Sequence, residues 1–259
     1  MAERPIDTDV KQQIKDTLFT KNDYRLDDRF VIRDGKRHPF AIVVPGGAYA
    51  VVCSFIEGVP YARKLNEKGI SVFILYYHVR KKAAYPAPQK DLARAVKEVF
   101  ARKDEYLLDT EGYSVWGSSA GGHLTASFGT KNMGFRKYDL PAPAALVLVY
   151  PVISMENGVT HPDTQKNLLG KDPDEKRIRY ASVDKHVDAG YPPTYIWSGD
   201  SDKTVPPENT KRMDAALTRA GVDHVCRIFP GVDHGVGPAT GLSAEGWIDE
   251  AADFWLSRR

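Results

Sequence analysis

The sequence predicts one α/β domain: a mostly parallel, twisted sheet with helices on both faces and a short polar insertion over one end. Three observations predict it. Short, nearly continuous apolar runs recur along the chain, as strands buried on both faces require. Stretches of helical character separate them, so strand and helix alternate from residue 40 onward. The chain has 259 residues, 42% hydrophobic and 27% charged, which suits a single large core.

The elements follow in order. Ile6, Val10, Ile14 and Leu18 recur at intervals of four, predicting an amphipathic helix over residues 5–20 that packs on the body or on a second copy of the chain. Tyr24-Arg25-Leu26 and Arg29-Phe30-Val31-Ile32, followed by Asp34-Gly35, predict short antiparallel strands with a turn. Buried strands are expected at Phe40–Val44, Ser71–Tyr77, Tyr113–Trp116, Ala145–Tyr150, Thr194–Trp197 and Val225–Phe229. Helices are expected over about 57–68, 88–103, 119–130, 208–220 and 244–257.

Residues 151–192 break the alternation. His161-Pro162-Asp163, Lys171-Asp172-Pro173-Asp174 and Tyr191-Pro192-Pro193 mark loop with one or two short helices. Because it follows a strand, this cap-like insertion should lie over the carboxyl ends of the sheet, where open α/β sheets bind ligands. No repeat, low-complexity tract or linker divides the chain, so residues 1–259 read as one domain.

Net charge is +2, from 36 basic and 34 acidic residues spread along the whole length. Without a basic block, neither nucleic acid nor an anionic membrane is an expected partner. The N-terminal residues lack the apolar core of a signal peptide. No run reaches the roughly 18 apolar residues of a membrane span. Cys53 and Cys226 are the only cysteines. Together these predict a cytoplasmic protein with reduced thiols.

The chemistry centres on Gly117-Ser118-Ser119-Ala120-Gly121, which follows the strand Tyr113–Trp116 and opens a helix. A strand–turn–helix around G-x-S-x-G is a nucleophile elbow. The turn is too tight for bulk two residues before or after the serine, and it sets Ser119 near the positive end of the helix dipole. A dinucleotide loop is excluded, since these glycines do not form G-x-G-x-x-G, and no Walker lysine follows.

Enzymes with such an elbow carry an acid and then a histidine later in the chain. Beyond the strand Thr194–Trp197 lie two acids, Asp200 and Asp202. Asp202 is farther into the loop, where a histidine from the next crossover can meet it. Asp200 directly follows Gly199 and is better placed to brace the turn. Beyond Val225–Phe229 comes Pro230-Gly231-Val232-Asp233-His234-Gly235, which puts His234 where the base belongs. His224 starts its strand at the opposite end of the sheet, and His123 belongs to the helix behind the elbow. His38, His78, His161 and His186 have no partner pattern, although His161 lies in the insertion. A histidine base titrating near ~6.5 predicts activity that rises through pH ~6–7.

Pro45-Gly46-Gly47-Ala48-Tyr49 closes the first long strand. Small residues there let backbone N–H groups converge on a carbonyl oxygen as charge develops on it.

These motifs carry a resemblance. Pro45–Tyr49, Glu57-Gly58-Val59-Pro60-Tyr61-Ala62, Leu65-Asn66, Tyr85-Pro86-Ala87-Pro88 and Asp91-Leu92 resemble the bacterial carbohydrate esterases. Trp116–Leu124, Asn167-Leu168-Leu169-Gly170, Pro192-Pro193-Thr194 and His234-Gly235 continue the match over roughly residues 38–255. The group is the acetyl-xylan and feruloyl esterase-like one, related to hormone-sensitive-lipase-type esterases and to prolyl oligopeptidases. The resemblance implies an α/β-hydrolase fold and a triad of Ser119, Asp202 and His234. It also implies oxyanion donors from the N–H groups of Gly47 and Ala120, joined by Ala48. Two departures stand out: Ala48 replaces a third glycine, and Pro45 replaces a histidine found in many relatives. Backbone donors survive both.

The insertion is rich in Asp, Lys, Asn and Pro rather than greasy, which argues against long-chain triglycerides. Tyr49 and His161 are candidate substrate contacts. Tyr76, Tyr77 and Tyr85 also stand near strand ends, where tyrosines more often pack. With the resemblance, a short acyl group on a carbohydrate alcohol, in imported oligosaccharides, is the expected substrate. A peptidase or amidase on the same triad is the alternative, disfavoured because no propeller or large cap is present. A catalytically silent receptor is disfavoured because no triad member is missing. Asp233-His234 and His161-Pro162-Asp163 lack metal-ligand spacing, and the mechanism needs no cofactor. The stripe over residues 5–20 makes a homodimer arm an expectation.

Overall fold

Strands apolar on both faces need a cover on each side, and the sheet has it. A computed structural model describes residues 23–259. Its strands are β1 (Arg25–Phe30), β2 (His38–Val44), β3 (Ser71–Tyr76), β4 (Leu108–Ser118), β5 (Ala145–Val149), β6 (Thr194–Gly199) and β7 (His224–Phe229). They form one sheet ordered β1-β3-β2-β4-β5-β6-β7. All neighbours run parallel except β1, which pairs antiparallel with β3. The helices are α1 (Ser54–Glu57), α2 (Val59–Glu67), α3 (Ala87–Ala101), α4 (Ser119–Gly129), α5 (Pro162–Leu169), α6 (Glu175–Ala181), α7 (Glu208–Ala220) and α8 (Trp247–Leu256).

Adjacent residues of β4 show the two covers, because side chains alternate across a strand. Trp116 turns to one face, where its ring lies 6.0 Å from Trp247 of α8. Gly117 turns to the other, where a Cβ would collide with Thr125 and Gly121 of α4. The core between these layers holds Trp116, Trp197, Trp247 and Trp255, all fully buried.

After β2 the chain steps to β3 on one side, then crosses to β4 on the other. The carboxyl ends of β2 and β4 therefore flank the switch point, where open α/β sheets leave a crevice. The loop after β2 and the elbow after β4 meet there.

Three local expectations are corrected. The segment 24–32 holds one edge strand, Arg25–Phe30, not two strands joined by a turn. The Asp27 carboxylate takes both the Arg29 N–H (3.2 Å) and its guanidinium (2.7 Å), and the register against β3 shifts between Asp27 and Phe30. β4 starts at Leu108, five residues early. Its polar first half pairs with His38 and Pro39, and a register shift follows before Ala41 meets Ser114. The helix expected over 57–68 is split at Gly58, where Pro60 opens α2 with no N–H to spare.

The insertion carries α5, α6 and a short 3₁₀ turn over Val183–Lys185. Asn209 of α7 ties its start down, accepting from Ile153 N–H (2.9 Å) and Ser154 N–H (3.1 Å) and donating to the Val159 carbonyl (2.8 Å). Cys53 and Cys226 are free thiols. Among the described residues, no helix is long and apolar enough to cross a membrane. The helix and dimer arm expected over residues 5–20 lie outside the described residues.

Candidate active site

The elbow follows from its glycines. Ser119 has φ +54°, a left-handed conformation unusual for a residue with a side chain. Gly117 and Gly121 make this possible. A Cβ at 121 would strike the carbonyls of Val44 and Pro45, so α4 begins hard against the end of β2. The Ser119 carbonyl is held by the Val152 N–H at 3.0 Å. The side chain is left facing the crevice.

Three loops bring partners to it. The Ser119 hydroxyl lies 2.9 Å from His234 Nε2, and His234 Nδ1 lies 2.7 Å from Asp202 Oδ2. The other oxygen of Asp202 accepts from the N–H groups of Thr204 (3.0 Å) and Val205 (2.8 Å). The Asp202 carboxylate has no exposure, so it is fixed on both sides. Asp200 is engaged elsewhere: its Oδ1 accepts the Gly231 N–H at 2.7 Å and braces the turn after β7.

Gly47, Ala48 and Tyr49 follow β2 with φ of +121°, +56° and +56°. A Cβ on Gly47 would collide with the Val51 carbonyl. Gly47 and Ala48 line the same pocket as Ser119 and His234. Ala120 lies in the first turn of α4, where backbone N–H groups have no intrahelical acceptor. Asn167 of α5 donates to the Ala48 carbonyl at 2.8 Å and pins the loop from outside.

Two substrate contacts were expected, and the structure separates them. His161 lines the pocket at the start of α5, its Nδ1 3.0 Å from Thr164 Oγ1, and burial pushes its pKa down. Tyr49 does not reach the pocket. The left-handed backbone turns its ring inward, where it is fully buried with its hydroxyl 2.9 Å from His123 Nδ1. Tyr76, Tyr77 and Tyr85 are also packing residues, bonded to Ser54, the Pro45 carbonyl and Tyr180.

The remaining histidines have structural partners. His123 also meets the Ala181 carbonyl (2.8 Å), and His224 meets Asp214 at the amino end of β7. His38 pairs with Asp34, His78 with Asp91, and His186 with the Arg179 carbonyl.

The pocket, about 230 Å³, holds residues the sequence did not promote: Cys53, Ile56, Glu57 and Thr204. Burial drives the Cys53 thiol up to about 11, with Glu57 adding to the shift, so it is no nucleophile at neutral pH. Glu57 was visible within a motif, but nothing in its spacing pointed at Ser119. A hydroxyl hydrogen-bonded to an imidazole that is itself held by a carboxylate, beside free N–H groups, can carry out acyl transfer.

Comparisons with known proteins show what this chain is similar to. Residues 30–217 match the BD-FAE family model. The solved structure of an acetyl ester-xyloside bifunctional hydrolase from Caldicellulosiruptor lactoaceticus is 33% identical, with a TM-score of 0.80 over 88% of this chain and 86% of that one. An acetylxylan esterase of Xylanibacter ruminicola is 30% identical over 82% of this chain and 44% of its own length. Endo-1,4-beta-xylanase B of Butyrivibrio fibrisolvens is 27% identical over 92% of this chain and 40% of its own length. The chain thus spans less than half of these two curated relatives.

Proposed function

The chain belongs to the BD-FAE family of α/β hydrolases, and we propose that it is a serine esterase that removes short acyl groups, acetyl above all, from carbohydrate alcohols. The observation that carries the reading is the continuous line from Ser119 Oγ to His234 Nε2 (2.9 Å) and from His234 Nδ1 to Asp202 (2.7 Å).

The chemistry follows from that line. Neutral His234 takes the Ser119 proton at Nε2 as Oγ bonds to the acyl carbon, and the carbonyl π pair moves onto oxygen. The N–H groups of Gly47 and Ala120, with Ala48, stabilise that oxyanion. Each such donor is worth about 10²–10³ in rate. Collapse breaks the bond to the alcohol oxygen, which leaves with the proton from His234. Water then gives its proton to His234, attacks the acyl-serine, and the acid departs as Ser119 is regenerated. Asp202 keeps the ring in the right tautomer and balances the imidazolium charge.

The size of the pocket supports a short acyl group. At about 230 Å³ it is below the roughly 300–1,000 Å³ common for small-molecule sites. Support for the carbohydrate side comes from the relatives, one named an acetylxylan esterase and one an acetyl ester-xyloside bifunctional hydrolase.

Hydrolysis of p-nitrophenyl esters from acetyl to decanoyl, with wild type and Ser119→Ala, tests the reading. Acetyl should be the best substrate and Ser119→Ala should lose all but background activity. Equal rates for both proteins would remove the serine mechanism, and a preference for decanoyl would remove the short-acyl assignment. Acetylated xylo-oligosaccharides then test the alcohol side, where acetate release is expected.

A further inference from the structure

One more ionisable side chain is buried beside Ser119, and no step above uses it. Glu57 closes α1, is 4% exposed, and lines the same pocket. A carboxylate so far from water is retained only with partners. Burial pushes its pKa up, while bonds from Gly46 N–H and the Tyr150 hydroxyl, and nearby His234, favour the charged form.

Two partners hold the carboxylate, and through them the network reaches three loops. Glu57 Oε2 accepts the Gly46 N–H at 2.7 Å. A Cβ on Gly46 would lie 2.7 Å from both that oxygen and Ser119 Cβ, so one glycine separates the carboxylate from the nucleophile. Tyr150, which bonds Glu57, also accepts the Gly237 N–H at 3.2 Å, and its ring stands edge-on to His234 with centroids 4.9 Å apart. The Tyr61 hydroxyl meets Tyr150 at 3.2 Å and Ser118 Oγ at 3.1 Å. The loop after β2, the elbow and the His234 loop therefore meet in one buried network around a single carboxylate.

We propose that Glu57 is a positioning residue: its carboxylate holds Gly46, and with it the oxyanion donors, in register with Ser119, and through Tyr150 it fixes the His234 ring. The inference rests on the esterase reading above. A carboxylate suits the place because both of its oxygens only accept, so it takes an N–H from one loop and an O–H from another. A glutamine can keep the Gly46 bond through its oxygen, but it turns a donor toward Tyr150 where the carboxylate accepts, and it carries no charge. Coulomb attraction in a dry site also favours the positive charge His234 gains on acylation. Neither effect depends on how tightly the ester binds, so the loss should fall on kcat.

The test uses Glu57→Gln, Tyr150→Phe and their combination, with p-nitrophenyl acetate as substrate and thermal melting at pH 8. Glu57→Gln should lower kcat about tenfold or more while KM stays within about threefold. It should melt no lower than wild type, because it removes a buried charge. Tyr150→Phe should also lower kcat, and the double variant should be no worse than Glu57→Gln, since both changes break the same network. Full kcat in folded Glu57→Gln would overturn the proposal, as would losses that simply multiply in the double variant. If Glu57→Gln fails to fold, full kcat in Tyr150→Phe overturns it equally. Ser119→Ala separates the two readings. Activity surviving that change overturns the esterase assignment, and this inference with it. Activity lost there, with full kcat in Glu57→Gln, overturns the inference alone.

Discussion

Ser119 is held at φ +54°, a conformation that costs an L-residue on the order of 1–2 kcal/mol. Such strain persists where the surroundings over-determine it. Here they do: Gly117 and Gly121 leave no room for another path, and the Val152 N–H fixes the Ser119 carbonyl. Asp202 is over-determined in the same way, with one oxygen on His234 Nδ1 and the other on two backbone N–H groups. Asp202→Asn tests that arrangement. The amide matches the carboxylate in shape, but it cannot accept on both sides. Its NH₂ must face either the Thr204 and Val205 N–H groups or the ring. If the oxygen stays on the backbone, the NH₂ meets Nδ1 and leaves the Nε2 proton pointing at Ser119, so the base is lost. The expected result is a fall in kcat of about 10⁴ with the fold intact, read from steady-state kinetics beside a circular dichroism spectrum. A fall of less than about tenfold would take Asp202 out of the mechanism.

At the scale of elements, what could be read in the sequence was what apolar patterning marks. β2, β3, β5, β6 and the second half of β4 announce themselves because both faces are buried, whereas β7 is a part-exposed edge strand marked only by its apolar residues, and each candidate site residue was then placed by its position after a strand. β1 was not readable in this way. Arg25-Leu26-Asp27-Asp28-Arg29-Phe30 is an edge strand full of charge, and its Asp27–Arg29 bulge reads locally as a turn. Glu57 escaped and Tyr49 was assigned to the pocket for a related reason, since their roles depend on partners brought together only by tertiary packing. The insertion was read as polar loop with short helices over the site, and its mechanical part was invisible. α5 reaches the loop after β2 through Asn167, whose amide holds the Ala48 carbonyl in the middle of three left-handed residues. Leu168 of the same helix accepts the Tyr85 N–H at 3.0 Å, so α5 is itself anchored to the chain before α3. Asn167→Ala removes the tether and leaves the loop's own bonds. kcat for p-nitrophenyl acetate should fall roughly tenfold, because small misplacements of donors are expensive. Full kcat would mean that the loop holds its shape without α5.

At the scale of the molecule, the buried titratable groups set how the fold responds to acid, and two of them act in opposite directions. His123 of α4 is fully buried between the Tyr49 hydroxyl and the Ala181 carbonyl, and burial lowers its pKa from 6.5 to about 4. The unfolded chain takes a proton at this residue near pH 6.5, whereas the native protein refuses it until about pH 4. The neutral ring therefore contributes fully above pH 6.5, and its contribution is lost as pH falls toward 4. By pH 4.5 the loss is about 2–3 kcal/mol. Glu57 has the opposite sign. Its pKa is raised by burial, so it costs stability at neutral pH, and that cost is relieved as the carboxylate takes a proton on acidification. Urea unfolding at pH 8 and pH 4.5, for wild type and His123→Gln, isolates the histidine, because every other group titrates in both proteins. The wild type should lose about 2–3 kcal/mol more than the variant between the two pH values. Equal losses would mean that His123 is protonated in the native state well above pH 4. The consequence reaches the site, since His123 joins α4 to Tyr49 and to the end of α6. Forcing a proton onto it should therefore loosen the loop after β2 together with the fold.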